Sequence, residues 1–353
     1  MLMPVRKALF ALVLLFSTVA GASGDAGNPQ RGYSVRVDVN SVFLNVAVYE
    51  RGTNRSVAGL KKEDFLLYED GVLQNVEQFL PSEAPLNLLL LLDVSGSTGL
   101  YMHLMKGASI DFIRQIKSND RVAIAAFSSR VDLVQGFTGD RKRAEEAIGR
   151  TWAGGGTSFY DAMMASIDQY MHGVEGRSAI VVFTDGIDNQ LEGGYPAGSQ
   201  TTFDELYRRI QEAEPIIYPV FLDTVRQSSG GPGTAQGAAS RRRAPTLHPA
   251  NPEPGRVDDD DESASYDVAA KQLRTIADQT GGRMYSPHRI EELSGIYSEI
   301  AGDLRNQYLL GYNPTNTAAD GRWREIRVKI RNHPEAVVRT RKGYYARKGV
   351  GGQ

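Results

Sequence analysis

The sequence predicts an α/β protein whose doubly wound, mostly parallel sheet is flanked by antiparallel β segments. From Pro85 onward, apolar strands alternate with helical segments, which is typical of a parallel sheet covered by helices on both faces. Before Pro85 and after Asn306, apolar and polar residues alternate with a period of two, which is typical of antiparallel strands with one buried face. We therefore expect one central α/β domain between two β-rich flanks.

The N-terminal flank, residues 33–80, is predicted to be a small antiparallel β module. Its stretch "YSVRVDVNSVFLNVAVYE" alternates apolar and polar residues, and "DFLLYEDGVLQNVEQF" contains two strands around the Asp70-Gly71 turn. The C-terminal flank, residues 307–346, returns to strand patterns in "QYLLGYNP", "WREIRVKIRN" and "AVVRTRKGYY". Each flank offers only a few strands, so we expect the two to pair into one joint β domain; two separate appendages are the alternative.

The central domain, residues 85–306, contains the alternating pattern. Strands are predicted at Leu86–Leu92, Val122–Phe127, Val131–Phe137, Ile180–Phe183, Ile216–Leu222 and Arg283–Ser286. Helices are predicted at Leu100–Ile116, Arg141–Arg150, Tyr160–Met171, Phe203–Ala213, Val268–Gln279 and Ile290–Asn306. Within this domain, residues 226–265 are rich in Gly, Pro, Ser and Ala and almost without large apolar residues, which predicts a disordered loop.

The N-terminus has the pattern of an export signal. Arg6 and Lys7 precede an apolar run that ends in small residues, with Ala20 and Ala22 in an A-x-A arrangement before Ser23. The run is too short to span a bilayer comfortably, and the chain lacks the cysteine that a bacterial lipoprotein needs. We therefore expect residues 1–23 to be a cleaved signal peptide and the mature protein to be periplasmic or secreted, without a transmembrane span.

Composition limits the kinds of partner. The 353 residues include 40 Lys and Arg against 42 Asp and Glu, for a formal net charge of −2, which does not favour nucleic acid or an anionic membrane. The hydrophobic share of 41% is enough to fill a sizeable core, and the absence of cysteine excludes disulfides. A partner must therefore be recognised by a local site.

The stretch "LLLLLDVSGSTG", Leu88 to Gly99, locates that site. It is a buried strand that ends in Asp93, Ser95 and Ser97, and ligands of open parallel sheets bind beyond the carboxyl ends of the strands. Two other segments place similar groups at the same edge: "GGGTSFYDA" presents Thr157, and "IVVFTDGIDN" presents Asp185. All of these ligands are hard oxygens, which predicts a divalent cation, with Mg²⁺ as the best fit.

These residues resemble the metal-ion-dependent adhesion site (MIDAS) of von Willebrand factor type A (VWA) domains. The resemblance covers residues 85–306 and rests on Asp93-x-Ser95-x-Ser97, Thr157 in a Gly-rich turn, and Asp185 in "FTDG". It implies a Rossmann-like fold, direct metal binding by both serines, and binding by Thr157 and the two aspartates directly or through water. Mn²⁺ and Ca²⁺ are alternatives to Mg²⁺.

The flanks are similar to those of a bacterial branch of exported VWA-related proteins. Hydroxyl ligands leave most of the cation's charge uncompensated, so an open coordination position attracts a carboxylate from outside. We therefore expect a non-enzymatic adhesion or scaffolding module that binds an Asp or Glu of a protein partner. The alternative is a structural accessory subunit of an envelope assembly, in which the metal serves stability. The sequence does not predict an oligomeric state.

Enzymatic interpretations fit the motifs less well. Haloacid dehalogenase-type phosphatases have a second aspartate where this chain has Ser95, and "GGGTS" lacks the Lys of a phosphate-binding loop. None of the five histidines lies in a recognisable triad context for a serine nucleophile. Simple helix capping by Asp93, Ser95 and Ser97 would leave Thr157 and Asp185 unexplained. Asp188 and Asn189 are interpreted as turn residues, and Asp161 as a residue that favours the N-terminus of its helix.

Overall fold

The computed structural model describes residues 41–53, 55–192, 198–222 and 259–346. The predicted signal peptide, the first residues of the N-terminal module and residues 226–258 of the predicted loop lie outside these ranges. None of the helices in the described ranges is long and apolar enough to cross a bilayer.

The N-terminal flank contributes four strands that match its alternating pattern: β1 (Val42–Tyr49), β2 (Phe65–Glu69), β3 (Val72–Gln74) and β4 (Gln78–Leu80). Strands β2 and β3 form the predicted hairpin. Its two turn residues, Asp70 and Gly71, have φ of 48° and 81°, the left-handed conformation that a tight type I′ turn requires. Asp-Gly is a preferred pair for this turn, so the local sequence determines the hairpin.

The central sheet has the strand order β7-β6-β5-β8-β9, and only β7 is antiparallel to its neighbour. The doubly wound, mostly parallel arrangement predicted from the sequence is therefore confirmed. Its strands are β5 (Leu86–Asp93), β6 (Arg121–Phe127), β7 (Val131–Thr138), β8 (Arg177–Thr184) and β9 (Ile216–Phe221).

Seven α-helices accompany these strands in the described ranges. They are α1 (Met102–Gln115), α2 (Arg141–Arg150), α3 (Phe159–Ala165), α4 (Asn189–Glu192), α5 (Phe203–Glu212), α6 (Asp259–Thr280) and α7 (Leu293–Arg305). Short 3₁₀ turns at Gly99–Tyr101 and Ile290–Glu292 precede α1 and α7, and a π-helical turn at Ser166–Tyr170 extends α3.

The leucine run explains how the sheet is covered on both faces. Side chains alternate along a strand, so Leu88, Leu90 and Leu92 pack with α1, α2 and α7, whereas Leu89 and Leu91 pack with α3, α5 and α6. All five leucines have a relative exposure of 0%. Strand β5 therefore lies in the middle of two hydrophobic cores and is rigidly held.

Strand β8 begins at Arg177 rather than Ile180, and two other predicted elements differ further from the structure. The strand predicted at Arg283–Ser286 is reduced to a single parallel bridge between Tyr285 and Val220, because only Tyr285 reaches the edge strand β9. Helix α6 begins at Asp259 rather than Val268, so residues 259–265, predicted as part of the disordered loop, belong to a helix.

The C-terminal flank adds β10 (Gln307–Tyr312), β11 (Trp323–Ile330), β12 (Val337–Arg339) and β13 (Gly343–Tyr345). These strands pair with those of the N-terminal flank in two sheets, ordered β12-β1-β10-β4 and β13-β11-β2-β3. Leu44 lies opposite Leu310 in the first sheet, and Leu67 opposite Val328 in the second. The apolar faces of the two sheets share one hydrophobic cluster, so both flanks contribute to one β sandwich.

The sandwich contacts the central domain at the amino ends of the parallel strands. Asn45 of β1 donates to the Glu214 carbonyl at 3.0 Å and accepts from the Ser178 amide at 3.2 Å. Strand β8 runs from Arg177 to Thr184 and is roughly 23 Å long at about 3.3 Å per residue. These contacts therefore lie at the opposite edge of the sheet from the carboxyl ends of the strands.

Candidate metal centre

Asp93, the last residue of β5, is fixed by hydrogen bonds to both carboxylate oxygens. Its relative exposure is 0%. Oδ1 accepts from the Ser95 amide at 2.9 Å, and Oδ2 accepts from the Thr184 hydroxyl at 2.6 Å. Burial raises the pKa of Asp93, and the hydrogen bonds from Ser95 and Thr184 oppose that rise. A cation beside this carboxylate would favour the ionised form further.

Ser95 and Ser97 bring their hydroxyls together directly after Asp93. The two Oγ atoms are 3.1 Å apart; Ser95 is buried and Ser97 is exposed. Neighbouring oxygen ligands of an octahedral Mg²⁺ at about 2.0–2.1 Å lie roughly 2.9 Å from each other. The spacing of the two hydroxyls therefore fits a pair of adjacent ligands to one small cation.

Thr98 stabilises the turn that carries these serines. It is fully buried, and its hydroxyl lies within hydrogen-bond distance of the carbonyls of Asp93 (3.1 Å) and Ser95 (3.0 Å). The turn is thus held by its own side chains before any ligand binds.

The glycine segment before Thr157 lies against the Asp93–Ser97 turn. The Gly154 amide donates to the Val94 carbonyl at 2.8 Å, and the Gly96 amide donates to the Gly155 carbonyl at 3.0 Å. Gly155 has φ of +89°, and a Cβ there would lie 3.2 Å from Ser129 Oγ. The positive φ favours glycine at this position, and the nearest neighbour of such a Cβ lies in the loop after β6.

Thr157 is held through its backbone by Asn189. The Thr157 amide donates to Asn189 Oδ1 at 3.0 Å, and the Asn189 amide donates to the Thr157 carbonyl, also at 3.0 Å. Because Asn189 lies four residues beyond Asp185, this reciprocal pair joins the second and third segments of the predicted site. Thr157 itself is buried, with 6% exposure.

Asp185 follows Thr184 at the end of β8 and is 1% exposed. Its Oδ1 accepts from the Ile187 amide at 3.3 Å, which closes the turn around Gly186. Strands β5 and β8 are adjacent and parallel, so Asp93 and the Thr184-Asp185 pair emerge side by side. The structure therefore brings all three predicted segments to one edge of the sheet.

Asp188 is more than the turn residue expected from the sequence. Its relative exposure is 0%, and its carboxylate accepts from the Tyr160 amide at 3.1 Å and from the Ser199 hydroxyl at 2.6 Å. It thereby fixes the first turn of α3, directly after Thr157. Asp161 lies in the first turn of α3, as expected from the sequence, and its carboxylate also accepts from the amides of Gln200 and Thr201 at 2.9 Å each.

The sequence did not identify several residues that position the donors: Thr98, Ser129, Thr184, Asp188 and Asn189. Several of their hydrogen bonds join residues that are far apart in the sequence. Gly156 and Ser129 are 27 positions apart, and Thr184 and Asp93 are 91 positions apart. A local signal existed for Thr98, which lies in "LLLLLDVSGSTG", and for Thr184, Asp188 and Asn189, which lie in the "FTDGIDN" segment.

The donor set is suited to a hard cation held mainly by hydroxyls. The predicted ligands Asp93, Ser95, Ser97, Thr157 and Asp185 comprise two carboxylates and three hydroxyls. Across the described ranges, no group of three or more His, Cys, Asp or Glu side chains could hold a metal ion. A metal at this edge would therefore depend on the serine and threonine oxygens, which are neutral ligands that a hard cation accepts.

Comparison with known proteins gives a match to a family. Residues 88–187 match the family model of the von Willebrand factor type A domain. An uncharacterized protein of Synechocystis sp. is 36% identical over 106 residues, which are 29% of this chain and 25% of that relative. The chain thus matches about a quarter of the length of this curated relative.

Solved structures with similar folds have low sequence identity. A von Willebrand factor type A protein from Catenulispora acidiphila is 14% identical, with 89% of this chain and 76% of that chain covered and a TM-score of 0.44. Proximal thread matrix protein 1 from the mussel byssus, with a zinc-occupied MIDAS motif, is 11% identical. The match covers 67% of this chain and 49% of that chain, with a TM-score of 0.44.

Proposed function

We propose that this chain is a divalent-metal-dependent protein-binding module. The basis is the von Willebrand factor type A domain whose family model residues 88–187 match. Domains of this family often mediate protein interactions through a metal at the MIDAS. In this proposal Asp93, Ser95, Ser97, Thr157 and Asp185 hold the cation, and the partner supplies an Asp or Glu carboxylate. Its role is adhesion or scaffolding in the bacterial envelope or the secreted fraction.

One observation carries the proposal: Ser95 Oγ and Ser97 Oγ lie 3.1 Å apart beside the buried carboxylate of Asp93. Ser95, Ser97 and Thr157 are neutral ligands, so only Asp93 and Asp185 offset the charge of the cation, and an aspartate that binds through water leaves more of that charge available to an outside ligand. A carboxylate from outside would complete both the charge and the coordination. Ser97 is exposed, so a ligand has access to the site from solvent.

Mg²⁺ is the proposed cation, with Mn²⁺ and Ca²⁺ as alternatives. Mg²⁺ favours about six oxygen ligands at short distance and retains several waters, which suits a site with few carboxylates. Ca²⁺ takes six to eight oxygens at longer distances, and it would need more ligands than these five side chains supply without water. Both serines act as ligands in this proposal, so it assigns them no part in a chemical reaction.

Export of the protein is proposed from its first 23 residues, whose basic start, apolar run and small-residue end form a signal-peptide pattern. Expression of the full-length chain in a bacterial host, followed by fractionation and N-terminal sequencing, tests it. The expected result is a periplasmic or secreted product that begins near Ser23. An uncleaved product in the cytoplasmic fraction would contradict this part of the proposal.

Isothermal titration calorimetry tests the metal site. Titration of Mg²⁺ or Mn²⁺ into the full chain should show one site, and Asp93→Ala and Ser95→Ala should weaken it strongly. Asp132→Ala is the matched control, because Asp132 is an exposed aspartate on β7. If the wild-type chain gives neither heat nor a thermal shift with either cation, the site is assigned wrongly.

Affinity capture separates the proposed function from its alternative. Envelope extract passed over the immobilised chain should yield a partner in Mg²⁺ and lose it in chelator, and Asp93→Ala should abolish capture. A metal that raises the melting temperature without any metal-dependent capture would favour the structural accessory subunit instead.

A further inference from the structure

Three large apolar side chains are exposed beside the candidate metal centre. Leu100, Leu104 and Trp152 have relative exposures of 88%, 43% and 77%. The other large exposed apolar residues of the described ranges lie elsewhere: Val72 and Leu73 on the β2–β3 hairpin, Leu133 on β7, Val268 on α6 and Tyr345 on β13. We call Leu100, Leu104 and Trp152 the apolar rim.

The rim is built on the loops that form the site. Leu100 follows Ser97 by three residues in the 3₁₀ turn Gly99–Tyr101, and Leu104 lies one turn further, in α1. Trp152 lies two residues before Gly154, whose amide donates to the Val94 carbonyl at 2.8 Å. A Cβ at Gly99 would lie 3.7 Å from the Ala153 Cβ, so Gly99 and Ala153, the chain neighbours of Leu100 and Trp152, lie close together.

The segment that carries Trp152 is fixed to α1. The Lys106 amino group donates to the Gly149 carbonyl at 3.0 Å and also to the Thr151 carbonyl. The Thr151 hydroxyl donates to the Ile148 carbonyl at 2.8 Å at the end of α2. A tryptophan on a fixed backbone can bind a partner with little loss of backbone freedom, which favours its use as an anchor.

The charges around the rim complement an acidic partner. The segments 94–110 and 147–160, which carry the three side chains, contain no Asp or Glu. They do contain Lys106 and the exposed Arg150. A partner that carries a carboxylate would therefore meet the cation, basic side chains and apolar surface, and no opposing carboxylate from these two segments.

We infer that the apolar rim is the second half of the partner site and selects a protein segment that carries a large aliphatic or aromatic side chain near its metal-binding Asp or Glu. This inference rests on the proposed function, because the metal supplies the contact for the carboxylate. Exposed contiguous apolar side chains mark interaction surfaces, and tryptophan is enriched among the residues that dominate binding.

A peptide-display selection tests the inference. A random 12-residue library is selected on the immobilised full chain in Mg²⁺ and eluted with chelator. We expect enriched peptides to combine Asp or Glu with a large apolar residue within a few positions. Enrichment of acidic peptides without any apolar preference would overturn the role of the rim.

Two variants then separate failure of the rim from failure of the metal site. Trp152→Ser should bind Mg²⁺ within about twofold of wild type by calorimetry and bind a selected peptide at least about tenfold more weakly. Leu73→Ser, which removes an apolar side chain of 55% exposure from the β sandwich, should change neither affinity. Unchanged peptide binding by Trp152→Ser would refute the rim alone, whereas absence of Mg²⁺ binding by wild type would refute the proposed function and the rim with it.

Discussion

The Thr184 hydroxyl donates a hydrogen bond to Asp93 Oδ2 at 2.6 Å and joins the ends of two neighbouring parallel strands. Both residues have 0% exposure. Thr184 Oγ1 also accepts from the Gly186 amide at 2.8 Å, so one hydroxyl orients the Asp93 carboxylate and the turn after Asp185 together. The candidate metal centre is thus organised by a residue outside the predicted ligand set.

Replacement of that hydroxyl should weaken metal binding without removing a ligand. Thr184→Val keeps the side-chain shape but removes one of the two hydrogen bonds that orient Asp93, and loss of a residue that orients a metal ligand typically lowers metal affinity about 10–100-fold. Thr184→Ser, which retains the hydroxyl, should stay close to wild type. Calorimetry with Mn²⁺ measures both, and equal affinities for the Val and Ser variants would contradict the orienting role.

The sequence was sufficient to predict the central sheet, because its signals are local. Strand β5 is a continuous apolar run, and helix α2 begins and ends at the predicted residues, Arg141 and Arg150. The convergence of the three site segments also followed from the rule that ligands bind at the carboxyl edge of a parallel sheet. The strands and helices that follow from hydrophobic patterns with periods of 2 and 3.6 residues were therefore predictable.

Contacts between distant residues were not predictable in this way. Glu69 occupies a buried position on β2 that alternation would assign to an apolar residue, and it is stabilised by tyrosines 243 and 275 positions away. The same holds for Thr184 with Asp93, whose pairing depends on the register of β5 and β8. Exposure of Trp152 depends likewise on which loops pack together, and no local pattern indicates it.

A glycine next to Asp185 should be intolerant of any side chain. Gly186 has φ of +72°, and a Cβ there would lie 2.7 Å from Leu273 Cδ1 of helix α6. Gly186→Ala should therefore lower the free energy of unfolding by about 2–4 kcal/mol, from backbone strain and overpacking combined. Urea denaturation measures the loss.

Gly71→Ala is the matched control for that variant. Gly71 has φ of +81°, but nothing lies within 4 Å of the position of its Cβ. This control should lose only the cost of the left-handed backbone, about 1 kcal/mol. Equal losses at the two glycines would mean that the contact with Leu273 contributes nothing.

Arg177 connects the central domain to both of its flanks. Its exposure is 1%, and its guanidinium donates to the carbonyls of Ser82 and Ala84, before β5, and of Leu304, before β10. Burial lowers the pKa of Arg177 to about 10, so the group remains charged at neutral pH. It thus holds together the two chain segments that lead into and out of the central α/β region.

Arg177→Met should remove the donor to the Ala84 and Leu304 carbonyls, whereas the Ser82 carbonyl keeps Lys117 Nζ at 2.7 Å, and it should lower the free energy of unfolding by about 3 kcal/mol or more. Arg121→Met is the control, because Arg121 begins the neighbouring strand β6 and is exposed; its loss should stay within about 0.5 kcal/mol. Chemical denaturation of both variants provides the comparison, and similar stabilities would exclude a clamping role for Arg177.

The two sheets of the β sandwich are joined by a buried carboxylate. Glu69 of β2 has 2% exposure, and its Oε2 accepts from Tyr312 Oη of β10 at 2.7 Å and from Tyr344 Oη of β13 at 2.9 Å. Burial is the larger cause that raises the pKa of Tyr312, and the hydrogen bond to Glu69 raises it further. The phenol therefore remains a hydrogen-bond donor. Since β2 and β10 come from opposite flanks, this cluster links the two halves of the proposed joint domain.

Removal of the two phenol hydroxyls should destabilise the sandwich more than additively. Tyr312→Phe or Tyr344→Phe leaves Glu69 one donor and should cost about 1–2 kcal/mol, whereas the double variant removes both of these donors from a buried carboxylate and should exceed the sum of the single losses. Tyr68→Phe, on the other face of β2, is the control and should be nearly neutral.

Because the flanks are proposed to unfold as one unit, hydrogen exchange should accelerate in β1 and β2 together with β10 in the double variant. Faster exchange confined to β10 and β13, with unchanged protection of β1 and β2, would show that the N-terminal strands fold independently of the C-terminal ones.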